Sequence, residues 1–104
     1  MMGKTITAEV LLQEIFQSEA SLRWFEQKYG LLSETFYDLF QQGKLRDEDP
    51  DEIEEYLEWA AQWELYQDRR QRYNDIVTQR LQNLPEPSSL RDLQQQNANI
   101  PVSV

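Results

Sequence analysis

The densest chemistry in this sequence is carboxylate. From Asp47 to Glu58, eight of twelve residues are acidic: Asp47, Glu48, Asp49, Asp51, Glu52, Glu54, Glu55 and Glu58. A helix N-terminus would be complemented by two or three of them. On a helix, Asp51 and Glu55 stand four residues apart, as do Glu54 and Glu58, and each like-charged pair costs roughly a few tenths of a kcal/mol. A chain that tolerates this repulsion holds a charged face suited to a basic partner, where it would speed encounter and set specificity. The plainer alternative is a solvated face that serves solubility. Asp47, Asp49, Asp51 and Glu58 also fall on positions 1, 3, 5 and 12 of an EF-hand loop. Glu52, however, stands where a glycine must make the sharp turn, and Pro50 lies inside the loop. Calcium is therefore not expected.

Next to the acids runs an aromatic line. Tyr56, Trp59, Trp63, Tyr66, Arg70, Tyr73 and Val77 recur at alternating spacings of three and four, the period of one helix face. Trp, Tyr and Arg are the residue types that anchor interfaces, and they also fill the thin core of a small protein. About half of the line is expected to be core. Leu57 and Leu65 stand beside the line on the rows that flank it, and part of the distal stretch of so long a helix is left for a partner or a second copy. The candidate partner-binding set is Glu54, Glu55, Glu58, Trp59, Trp63, Tyr66, Arg70 and Tyr73. Arg69, Arg70 and Arg72 with Tyr66 and Tyr73 could take phosphates and bases. A net charge of −9 and the lack of a helix-turn-helix or ribbon pattern argue against nucleic acid.

Catalysis finds little support. The chain has no Cys and no His, which removes thiolate nucleophiles, the Ser-His and Cys-His dyads, and the commonest metal ligand. Its many carboxylates have no activated nucleophile, metal-ligand set or phosphate loop beside them. The expectation is a binding protein without cofactor or metal. No apolar run approaches the roughly 20 residues of a membrane span, and Gln13 and Glu14 interrupt the run Val10-Leu11-Leu12 before it could form a signal-peptide core. A cytoplasmic location is expected.

The elements that must position these residues are helical. At 104 residues, with 39% apolar and 12% aromatic content, the chain suits one small all-α domain over 5–84, followed by a flexible tail over 85–104. After a loose lead-in over 1–4, Thr7 caps a helix from Ala8 to Tyr29. Leu11, Ile15, Ser18, Leu22, Phe25 and Tyr29 share its inward face, and a break is expected at Ser18-Glu19-Ala20-Ser21. Gly30 ends this helix. A second begins at Ser33 as cap, with Leu32 and Tyr37 as a hydrophobic staple, buries Phe36, Leu39 and Phe40, and ends at Gly43. Asp49 as cap, Pro50 at the first helical position and Glu52 at the third start a long helix reaching towards Leu84, with a weak point near Asn74. Ile53, Leu57 and Ala60 widen its buried face. Pro85-Glu86-Pro87-Ser88-Ser89 then stops it, and Ser89 caps a short turn through Leu90 and Leu93 in an otherwise disordered tail. The architecture expected is thus short N-terminal helices packed on one long helix.

The run Lys28-Tyr29-Gly30, Ser33-Glu34-x-Phe36-x-x-x-Phe40, Gly43-Lys44-Leu45, the acids from Asp47 to Asp51, and Glu58-Trp59-Ala60-x-x-x-Glu64-Leu65-Tyr66 resembles small acidic proteins of bacteria and archaea, common in cyanobacteria. These are encoded beside ribonuclease-like toxins and are read as antitoxins of type II toxin–antitoxin modules. The likeness covers about residues 25–73. It implies a protein that binds and neutralises a basic toxin in the cytoplasm. Many antitoxins carry a DNA-binding module, and none is visible here. The other reading of the residues is a self-associating helical accessory or assembly protein, a homodimer paired through the long helix.

Overall fold

The computed structural model describes residues 6–46, 48–82, 87, 89–98 and 101–102. The lead-in over 1–4, Asp47 of the acidic block, Leu84 at the expected helix end, residues 85, 86 and 88 of the stop signal, and 99–100 and 103–104 of the tail lie outside them. The fold is all-α. Among the described residues four helices carry it: α1 (Ala8–Tyr29), α2 (Ser33–Gln41), α3 (Pro50–Leu81) and α4 (Leu90–Ala98). Beside them, β1 (Ile6–Thr7) and β2 (Pro101–Val102) form a two-residue antiparallel ladder, with Ile6 opposite Val102.

The helix ends follow local chemistry. Thr7 Oγ1 accepts the Val10 N–H at 3.3 Å and opens α1. Gly30, at φ +68°, closes it, its N–H donating to Glu26 O at 2.8 Å. At the end of α2, Gly43 has φ +67°. Its N–H reaches Phe40 O, and the Lys44 N–H reaches Leu39 O, both at 3.1 Å, the two bonds of a Schellman motif. Asp49 Oδ1 accepts the Asp51 N–H at 2.9 Å, and Pro50 follows as the first residue of α3. Ser89 Oγ accepts the Asp92 N–H at 3.1 Å, starting in α4 a helix of nine residues where one short turn was expected.

Four expectations need correction. No break interrupts α1 at Ser18-Glu19-Ala20-Ser21: Ser18 is buried in line with Ile15 and Leu22, and continuous packing on both sides outweighs the weak helix preference of serine. α3 is the one long helix expected, but it ends at Leu81, short of Leu84. Ser33 does not cap α2. It is the first helical residue, Leu32 holds the cap position with no side-chain bond, and Leu32 is exposed rather than stapled. Leu57 does not widen the buried face of α3, because two residues before Trp59 is the far side of the helix, and it is 57% exposed.

The chain gathers into two compact units, one from 16–67 and one from 1–15 with 68–104. In the first, Leu22 and Phe25 of α1, Phe36 of α2, and Trp59 and Ala60 of α3 form the core. Tyr29, Tyr56, Trp63 and Tyr66 pack against it. Three rings stack in series, Phe25 on Trp59 (5.3 Å between centroids) and Trp59 on Phe36 (3.9 Å). In the second unit Ala8 and Val77 are the buried centre, joined by Tyr73, Ile76 and Leu81. Arg69 Nε pairs with Glu14 Oε2 at 3.1 Å, and Arg72 Nε with Asp68 Oδ2 at 3.2 Å.

Candidate functional site

The core of the first unit is organised around one polar junction. The Trp59 indole Nε1–H donates to Ser33 Oγ at 2.9 Å. The Ser33 hydroxyl in turn donates to Glu26 Oε2 at 2.8 Å, and the Ser33 backbone N–H donates to the same oxygen at 2.9 Å. A carboxylate on α1 therefore does for α2 what a local N-cap would have done. The junction fixes the register of the three helices, and so decides which side chains of α1 and α3 meet at the surface.

Where α1 and α3 run together they leave a groove of about 440 Å³, lined by Ala20, Ser21, Trp24 and Phe25 of α1 and by Glu55 and Glu58 of α3. Ala20 and Ser21 are small enough to leave the space open. Trp24 is 54% exposed and stands edge-on to Phe25 with ring centroids 4.9 Å apart; Phe25 is anchored below on Trp59. The Lys28 ammonium lies 5.0 Å from the Trp24 ring centroid and 5.3 Å from that of Tyr29, and it pairs with Glu55 Oε1. Glu58 is exposed, and among the described residues it makes no ion pair. The groove thus offers an aromatic face and an uncompensated carboxylate, a combination that attracts ammonium and guanidinium groups.

Two tyrosines, Tyr37 of α2 and Tyr56 of α3, bind carboxylates. Tyr37 donates to Glu64 Oε2 at 2.8 Å and Tyr56 to Glu52 Oε1 at 2.9 Å. The hydrogen bond to Glu64 holds the Tyr37 pKa above the usual 10.0, and burial, then the bond to Glu52, does the same for Tyr56.

The candidate residues do not come together at one site. Glu55 and Glu58 meet in the groove, while Glu54 is exposed beside it in sequence but does not line it. Trp59 is corrected from the binding set to the core: it is 1% exposed and stacked against Phe25, Tyr29 and Phe36, and a side chain so enclosed offers nothing to a partner. Trp63 and Tyr66 are half-buried against that core. Arg70 and Tyr73 belong to the other unit, Arg70 exposed and Tyr73 packed on Ala8 and Val77. Sequence reasoning missed Trp24. Its signal was present: Phe16, Ala20 and Trp24 form an i, i+4, i+8 row opposite the buried row of α1, and a tryptophan off the buried row invites a functional explanation.

Among the described residues, no three Asp or Glu side chains come together in a way that could hold a metal ion, and no helix is long and apolar enough to cross a membrane. No protein family, curated protein or solved structure matches this chain.

Proposed function

We propose that this chain is a binding protein, with no catalytic role, that captures a basic protein partner through the groove between α1 and α3. The observation that supports this most directly is Lys28. Its ammonium rests by the Trp24 ring and against Glu55, so two residues that line the groove already hold a cation of the chain's own while Glu58 stays available for a partner's. In its most specific form the partner is a ribonuclease-like toxin of a prokaryotic cytoplasm, neutralised by occlusion of its basic nucleic-acid surface, as the resemblance of residues 25–73 implies.

The test is capture from native lysate by the tagged chain, compared with Glu58→Lys and Trp24→Ala. Both positions are exposed, so both variants should fold. A small basic protein should be retained at low salt and released at high salt. Glu58→Lys should weaken its retention at least about tenfold, and the released protein should cleave RNA unless the wild-type chain is added back. Recovery of only further copies of the chain, or equal capture by Glu58→Lys, would sink the proposal.

A further inference from the structure

The outer side of α3 carries a second apolar row. Leu57, Ala61 and Leu65 are spaced i, i+4, i+8 and all are exposed, Leu57 at 57% and Leu65 at 36%. They lie opposite the Trp59 side that builds the core, so α3 is apolar on two faces. The row spans about 12 Å along the helix. Rows of this spacing are the ridges that interdigitate when helices pack, and a small residue at the centre lets the two axes approach. Glu54 and Glu58 border the row on one side and Glu64 on the other, all three exposed. From Pro50 to Asp68 the helix holds seven acidic residues and no basic one.

We infer that this ridge docks an amphipathic cationic helix of the partner protein, its apolar stripe laid on Leu57, Ala61 and Leu65 and its basic flanks facing Glu54, Glu58 and Glu64. The inference rests on the reading of a basic partner and names the element of that partner which binds. Charge complementarity selects this occupant. A second copy would bring its own Glu54, Glu58 and Glu64 against the same residues, each chain carrying −9, and an anionic lipid surface would meet the same repulsion. An extended basic segment would satisfy the carboxylates but leave the two leucines in water. A helix presents apolar and basic groups at matching spacing.

The experiment uses the full chain and two synthetic peptides of about 15 residues with identical composition. One places leucines at i, i+4 and i+8 between arginine flanks; the other has its order scrambled so that no stripe forms. Calorimetry gives affinity and circular dichroism the helix gained on mixing. The striped peptide should bind at least about tenfold more tightly and become helical, and the exposed double substitution Leu57→Ser/Leu65→Ser should remove that preference while leaving the melting temperature of the chain unchanged. Equal binding of both peptides, or a preference that survives the double substitution, would overturn the helix ridge while leaving the basic-partner reading standing. Binding of neither peptide would overturn both. A salt-insensitive homodimer that the double substitution dissociates would assign the ridge to a second copy instead.

Discussion

Ser33 is a single hydroxyl on which two helices depend. It accepts from Trp59 and donates to Glu26, all within a core where an unpaired donor is expensive. Ser33→Ala leaves the Trp59 N–H buried without an acceptor, and the expected loss is about 1–3 kcal/mol, read as a lower urea midpoint with an unchanged slope. Adding Trp59→Phe removes the orphaned donor, so the double variant should lose less than the sum of the two single changes. The sequence made Ser33 look like a helix cap because serine beside a glutamate is the local sign of one. The true acceptor, Glu26, lies seven residues upstream, and only tertiary structure brings it there. Tyr37 supplies a second test at this scale. Its raised pKa means that the folded state holds the phenolic proton more tightly than the unfolded chain does. The stabilisation is therefore complete below pH 10 and is lost as pH rises through the folded value. Melting temperature measured from neutral pH upward should fall beyond pH 10, and Tyr37→Phe should reduce that fall.

Elements were legible where their signals are local. Thr7, Gly30, Gly43, Asp49 and Ser89 all do at a helix end what their residue types allow, since capping needs only neighbours in sequence. The inward row of α1, Ser18 included, was equally readable. What could not be read was the sidedness of α3. With apolar residues on two opposite faces, periodicity alone does not say where the covered face stops, and so Leu57 was assigned to it, while Trp59, on the covered line, was counted among the partner-binding residues. Gly43 allows a clean measurement. A Cβ placed there meets no atom within 4 Å, while φ is +67°, so Gly43→Ala should cost only the left-handed backbone penalty, about 1–2 kcal/mol. Gly43→Asn should cost less, and the difference in denaturant midpoints between the two variants separates conformational cost from crowding.

For the whole molecule, charge is the dominant property. Seven acids without a base from Pro50 to Asp68 of α3 oppose folding in a way that salt should relieve. Glu54→Lys removes the like-charged contact with Glu58 and should raise stability by roughly a few tenths of a kcal/mol, while the same change should weaken capture of a basic partner. Opposite movement of the two readouts would mark the acids as kept for binding; a gain in stability with no change in capture would leave them a solvated face. The acidic half of the candidate site was read from the sequence; the place of Trp24 off the buried row of α1 was legible too, but not its meeting with Glu55 and Glu58, because the groove exists only once α1 and α3 lie side by side. The short ladder between Ile6–Thr7 and Pro101–Val102 has a different bearing. Its paired residues are the two extremes of the described chain, so the backbone leaves this ladder and returns to it. Groups attached at Ile6 and at Val102 would stand side by side. A linker of a few residues from Val102 back to Ile6 would make the backbone between them a covalent ring, and the ring could be reopened in the connection between α2 and α3, giving a permuted chain in which every helix keeps its own caps.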